Sequence, residues 1–541
     1  MSIAADTATK RQMPTRLPTR AIAINIAATL FVALCALPAI YMLVVSFISA
    51  DGSLSLDNYH RLLAESRQRE LLLTSTLLGT GAAALATVVG APLGLLLARA
   101  DLPAKRLLRF AFVVPLVIPP YILALAWIYI GGSAGVAAQS LGRDLFSGWT
   151  YSLAGAIVVL GISFYPLSML ATEAAARRVD GRLEEAALLV THPRSVIWRI
   201  TLPLIAPSIA AAALIIFVLA LSEFGVPGLL RVRVYTTEVF TAFAALYDFG
   251  AATALATPML ALALLAGIAA KLIIGERLLA TRRGVYAGLP LTLGRWRAPV
   301  LTGLALMLTI FVVLPLAVLA LEAGRVERVT AAVKASGQAI TNSLVLATIG
   351  VTCIVAIAVL LGYGRARART RLGGFVDLAF IVIFAVPSTV VGVGLIGLWN
   401  RPGLLGEIYA SPVMILLAYL ARFVPVAALI LAASVRQVPA SFEEAAEIAG
   451  ASWPHAFSRI VLPQIRTGLA AAGVVVFIFA FSELGATVLV APPGESTLPV
   501  RVYTLIANTP SSEVAALALM QSGIVLIPLA LLGLFARGNQ Q

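Results

Sequence analysis

Long apolar runs separated by short polar breaks dominate this chain. The first extends from Ala21 to Ile48 and is interrupted only by Asn25, Thr29 and Ser46. A hydrocarbon core of about 30 Å needs roughly 20 apolar residues in a helix, so such runs predict membrane-spanning helices. Spans are expected at about 21–49, 72–98, 110–131, 150–172, 204–228 and 252–275. A second set falls at about 298–321, 340–363, 374–398, 411–434, 467–490 and 514–536. The apolar runs are unbroken, which excludes a β-barrel and leaves helices to satisfy the backbone within lipid. The expected fold is an all-α integral membrane protein of about 12 transmembrane helices.

The two sets read as copies. LTSTLLGT at 73–80 is echoed by ITNSLVLAT at 340–348, and VVPLVIPPYIL at 113–123 by VIFAVPSTVVG at 382–392. ISFYPLSML at 162–170 parallels ARFVPVAAL at 421–429, and ALSEFG at 220–225 matches AFSELG at 480–485. A polar insert precedes the last motif in each half: EEAALLVTHPRSVIWRITLP at 184–203 and FEEAAEIAGASWPHAFSRIVLP at 442–463. The shared order predicts two tandem six-helix repeats of the same orientation, related by an axis along the membrane normal. A passage between such halves is the natural route for a solute. The expected organisation is a first repeat over 1–280 with its core at about 70–275 and a cytoplasmic linker over 281–297. A second repeat then covers 298–541, with its core at about 340–536.

Composition agrees with a lipid solvent. Only 12% of residues are charged, about half the share of a soluble protein. The net charge of +14 comes in short bursts between apolar spans rather than on an extended basic face. That pattern orients membrane loops and excludes nucleic acid as a partner, leaving membrane lipid. The bursts at Lys105, Arg106 and Arg109, at Arg177, Arg178 and Arg182, at Arg282 and Arg283, and at Arg365, Arg367, Arg369 and Arg371 all fall on one side. The positive-inside rule therefore predicts both termini in the cytoplasm, N-in and C-in. Lys10, Arg11, Arg16 and Arg20 precede a first run too long for a signal peptide, so a retained first helix is expected.

Chemistry-bearing clusters are absent from the sequence. Cys35 and Cys353 both lie within apolar spans, and His60, His192 and His455 stand alone in predicted loops without metal-ligand spacing. A phosphate-cradling loop ends in Gly-Lys-Ser/Thr. Lys10, Lys105, Lys271 and Lys334 are each followed by another residue type. No catalytic residues, metal site or nucleotide site are expected in this chain.

Both polar inserts fall on the cytoplasmic side of the predicted topology. In the second, Phe442 to Ala449 is rich in helix formers, and Gly450 permits a left-handed turn. Ser452 can cap a new helix that tolerates Pro454 in its first turn. A helix–turn–helix elbow along the membrane surface is expected, with Ala445 and Ala446 as a flat patch. Glu443 and Glu444 would offer charge to a basic partner.

The order E-A-A, a glycine, then I-x-L-P resembles the signature of the cytoplasmic loop in permease subunits of bacterial ATP-binding-cassette importers. Glu444, Ala445, Ala446, Gly450, Ile460, Leu462 and Pro463 carry it in the second insert. In the first, Glu184 stands beside Glu185, Ala186 and Ala187, followed by Ile200, Leu202 and Pro203. That insert is one residue shorter and has Val190–Thr191 in place of the glycine. Together with the fused duplication and the SEFG and SELG segments, the chain is similar to iron(III)-type importer permeases. Related permeases serve thiamine, polyamines and phosphonates. The resemblance implies an inner-membrane, multi-pass permease whose elbows couple it to two copies of an ATPase subunit. ATP and magnesium would be used by that partner, with no cofactor bound here. A periplasmic substrate-binding protein would deliver the solute, with iron(III) as the expected substrate. A secondary transporter of two parallel repeats is the alternative class.

A few polar residues fall within predicted spans. Counted along continuous helices from Pro203 and Pro463, Glu223 and Glu483 lie about 30 Å away, near the outer end. Ionisable residues in spans usually face the interior or a water-filled cavity. Ser222, Glu223, Ser482 and Glu483 are therefore expected to line the translocation pathway. Arg422 needs a partner or water, and Tyr121, after Pro119–Pro120, marks an expected break in the third helix.

Overall fold

The computed structural model describes residues 19–48, 53–64, 67–280, 290–367 and 372–538. Lys10, Arg11, Arg16, Arg282, Arg283, Arg369 and Arg371 lie outside the described residues, as does most of the expected linker. Among the described residues, 10 helices are long and apolar enough to cross a membrane, and two bent pairs raise the count to as many as 12. Large apolar side chains such as Ile26, Val88 and Leu265 face outward, as a lipid solvent requires.

Several expected spans are broken. The third span of the first half is two helices, Lys105–Val117 and Pro120–Gly131. Its counterpart bends by 94° between Val376–Ala385 and Ser388–Trp399. Pro119 and Pro387 stand at the breaks, where proline supplies no backbone N–H and forces the preceding residue out of helical conformation. The fifth span ends at Ser222 rather than running to 228, and the eleventh helix ends at Phe481. Both SE[FL]G motifs are therefore turns, not stretches of helix.

The copies share detailed anchoring. Helix Arg67–Arg99 packs on Leu153–Ala176, and Gly337–Arg367 packs on Val413–Arg436. At Gly90 and Gly94, an added Cβ would lie 2.3 Å from the carbonyl oxygens of Tyr165 and Met169. Glycine lets these helices approach where lipid provides no hydrophobic drive between them. Ser75 Oγ accepts from Tyr235 N at 3.0 Å, and Ser343 Oγ accepts from Leu498 N at 2.6 Å. Each serine satisfies an orphan donor at the start of a short helix, Tyr235–Ala244 or Leu498–Leu505. This gives the LTSTLLGT and ITNSLVLAT echo its physical content.

The first helix of each repeat crosses over to the opposite repeat. In the first repeat, Phe31 packs edge-on against Phe380, and Cys35 Sγ donates to Leu420 O at 3.4 Å. In the second, Phe311 packs against Tyr165 of the first half, with ring centroids 5.6 Å apart. Both crossing helices widen into a π turn, Val32–Ala36 and Thr309–Val313, just before Pro38 and Pro315. The missing proline N–H and the ring's clash with the preceding turn favour the wider winding.

Candidate gate and coupling elbows

The two elbows form as helix–turn–helix units, but their turns are built differently. The second begins with Ser441–Ile448 and passes through Gly450 at φ +85°. Ala451 N donates to Ala446 O at 2.9 Å and Gly450 N to Glu447 O at 3.0 Å. This is the paired bonding of a Schellman stop, which wants glycine at the left-handed position. Ser452 holds the next N-cap position by backbone conformation alone, without the side-chain bond expected of it. The first elbow begins with Gly181–Leu188 and needs no left-handed residue. Being one residue shorter, it closes when Val190 N and Thr191 N both donate to Ala187 O, at 3.1 and 3.0 Å. Both exits widen into π turns, Ile197–Thr201 and Phe457–Val461, immediately before Leu202–Pro203 and Leu462–Pro463. The I-x-L-P signature is thus the sequence of a π turn set by its proline.

The expected role of Glu443 as charge for a partner is overturned. Glu443 is 8% exposed and its counterpart Glu184 is 1% exposed. Glu443 Oε1 accepts from Arg367 Nε at 2.8 Å, and its Oε2 accepts from Tyr363 OH. Glu184 accepts from Thr201 Oγ1 at 2.6 Å and lies 3.3 Å from Arg99 Nη2. A carboxylate surrounded by apolar helices must be paired, so the first glutamate of each elbow turns inward. Glu185, Ala186, Glu444 and Ala445 stay on the exposed side, Ala187 and Ala446 are half-buried, and Leu189, Val190 and Ile448 project outward. Two of the lone histidines, His60 and His455, sit in helices rather than loops.

Sequence reasoning missed Arg99 and read Arg367 only as part of a cytoplasmic basic burst, not as an anchor. Each ends the second helix of its half, equally spaced from Ser75 and Ser343, so extending the repeat alignment would have exposed them. The second elbow has additional support. Trp453 Nε1 donates to Tyr363 OH at 3.1 Å, Phe457 stacks on Trp453, and the Arg20 guanidinium lies 5.3 Å from the Tyr363 ring centre. Pro193 and Ile197 take the places of Trp453 and Phe457 in the first elbow.

Tyr121, Ser222, Glu223, Arg422, Ser482 and Glu483 all line one cavity of about 110 Å³ between the halves. Two helix breaks and two SE[FL]G turns enclose it. Glu223 Oε1 accepts from Gly225 N at 3.0 Å, and Glu483 Oε1 accepts from Ala486 N at 2.9 Å. One oxygen of each acid therefore shapes its own turn. Arg422 donates to Glu483 Oε2, a partner within its own half. Tyr121 OH donates to Gln521 Oε1 across the halves, a contact the sequence did not reveal. An added Cβ at Gly225 would lie 2.7 Å from Tyr121 Cβ, and one at Gly485 would lie 2.1 Å from Ser388 Oγ. The glycine of each motif is required because the broken third helix passes against the turn.

Below this cavity the same helix faces continue toward the elbows. Phe164 is followed at helical spacing by Leu167, Ala171 and Ala175, and Leu219 is preceded by Ile215 and Ala212. Leu167, Ala171, Ala175, Ala212 and Ile215 line a groove of about 620 Å³ within the first half, walled mostly by apolar side chains and with Arg178 toward the elbow.

Duplicated helices around a central constriction, with two surface elbows, define the membrane component of a transport system. The pattern of the family described as "Binding-protein-dependent transport system inner membrane component" matches residues 90–276 and 354–540. The chain belongs to this family and is a multi-pass inner-membrane permease with two fused copies of the domain. It is similar to the Fe(3+)-transport system permease protein FbpB 2 of Haemophilus influenzae, 25% identical over 487 residues, covering 88% of this chain and 92% of that one. The molybdenum transport system permease protein ModB of Mycobacterium tuberculosis is 32% identical over 167 residues, covering 30% of this chain and 62% of that one. The putative 2-aminoethylphosphonate transport system permease protein PhnU of Salmonella typhi is 28% identical over 184 residues, covering 33% and 63%. These relatives are transport permeases, not enzymes. Family membership implies separate ATPase and binding-protein partners.

Proposed function

We propose that this chain forms the passage of an ATP-driven importer for iron(III). Each cytoplasmic elbow seats one of two copies of an ATPase subunit. The observation that carries the passage is the cavity enclosed by matching turns from both repeats, with Glu223 and Glu483 in its wall. The groove beneath it, lined by first-half helices, supports an inward-facing state open toward the first elbow. ATP and magnesium act in the partner subunits. Closure of the ATPases would move the elbows, and each elbow is tied to its half by a buried glutamate–arginine contact. Movement at the elbow thus reaches helices Arg67–Arg99 and Gly337–Arg367 directly.

Support for iron(III) is the length of the match. The relative named for Fe(3+) covers 88% of the chain, whereas those named for molybdenum and 2-aminoethylphosphonate cover about a third. Reconstitution with the cognate ATPase and binding protein tests the reading. Iron(III), thiamine, a polyamine, 2-aminoethylphosphonate and molybdate would be compared for stimulated ATP hydrolysis and uptake. Iron-loaded binding protein is expected to stimulate both. Stimulation by another ligand alone would refute iron, and uptake driven by an ion gradient without ATPase would refute the importer.

A further inference from the structure

The cavity between the halves holds three charged side chains and is not symmetric. Glu483 is 6% exposed at its side chain and has both oxygens engaged, one by Ala486 N and the other by Arg422. Arg422 also lies 5.5 Å from the centre of the Phe423 ring. In the first half the matching residue is Ser163, whose Oγ donates back to Val159 O at 2.8 Å within its own helix. Glu223 accepts from the backbone N–H groups of Gly225 and Val226, and none of the described residues lies within ion-pair distance of it, Arg422 acting on it only across the cavity. Two acids and one base leave the cavity with a single formal negative charge, on the first-half side.

We infer that Arg422 sets the charge selectivity of the gate by occupying Glu483, so that a solute's positive charge is met by Glu223 alone. This rests on the proposed transport of a cation and sharpens it. A metal ion held jointly by Glu223 and Glu483 would have to displace Arg422 from a pair shielded from water, where removing one partner is costly. The constriction therefore acts as a one-charge filter rather than a two-carboxylate metal site. Arg422 also holds the SELG turn against helix Val413–Arg436. The SEFG turn is held differently, by Thr236 Oγ1 donating to Glu223 O at 3.0 Å and Ser222 Oγ donating to Ala385 O at 3.4 Å.

The experiment measures radiolabelled iron(III) uptake by proteoliposomes containing the full chain, its ATPase subunits and iron-loaded binding protein. Glu223→Gln is expected to reduce uptake at low substrate about tenfold, the scale on which a charged cleft concentrates its ligand. Arg422→Gln or Glu483→Gln alone should impair uptake by leaving one charge unpaired, and the double variant should recover most of it. Ser163→Arg, which offers Glu223 a resident cation, should mimic Glu223→Gln. Co-purification of the ATPase and a monodisperse gel-filtration peak identify variants that fold. Wild-type uptake by folded Glu223→Gln, or loss in the double variant equal to that in each single variant, would overturn the inference. If the wild type carries another ligand instead of iron(III), the iron reading fails separately. The same variants compared on that ligand then decide whether Glu223 meets it.

Discussion

Two adjacent glutamates in each elbow have opposite fates. Glu443 lies inward with Arg367 and Tyr363, whereas Glu444 is exposed. Replacing Glu443 by alanine should cost about 3 kcal/mol, because Arg367 would be left with a buried charge. Glu444→Ala should change stability by less than about 0.5 kcal/mol, as an exposed substitution does. Melting temperatures of the purified variants check the contrast, and equal losses would refute the inward anchor. The sequence showed the EAA run but could not rank its two acids. That ranking depends on Arg367, 76 residues away along the chain.

At the scale of the element, the second elbow depends on one backbone angle. Gly450 sits at φ +85°, and an L-residue in left-handed conformation costs roughly 1–2 kcal/mol. Gly450→Ala should weaken coupling, and Gly450→Pro should abolish it. Proline fixes φ near −65° and removes the N–H that bonds Glu447 O. ATP-driven uptake is the readout, with circular dichroism showing that the spans remain helical. Normal uptake by Gly450→Pro would dismiss the elbow as the coupling element. Helix packing gives a second test. Gly90→Leu places its Cβ against Tyr165 O and should lower the yield of folded protein in the membrane, which fluorescence-detected gel filtration would report.

At the scale of the whole molecule, each repeat lends its first helix to the other. The contacts of Phe31 with Phe380 and of Phe311 with Tyr165 mean that neither half completes its own core. Polypeptides divided within residues 281–289 should therefore assemble when expressed together, and each should be unstable alone. Co-purification through a tag on one half measures this. A first half that is stable and monodisperse by itself would contradict the crossover.

The sequence by itself determined the solvent, the helical class, the duplication and the places of the elbows. Those properties follow from runs of apolar residues and from local turn chemistry, and both act over a few consecutive positions. It also marked Glu223, Arg422 and Glu483 as out of place in lipid, and Tyr121 as lying at a helix break. Only the tertiary structure decided that these residues share one cavity, that Arg422 pairs with Glu483 rather than Glu223, and that Glu443 and Glu184 are anchors. It also decided that the SE[FL]G segments are turns instead of helix. The physical reason is the same in each case. A charge in a low-dielectric interior is governed by its nearest counter-charge, and a long helix is continued or broken by what packs against it.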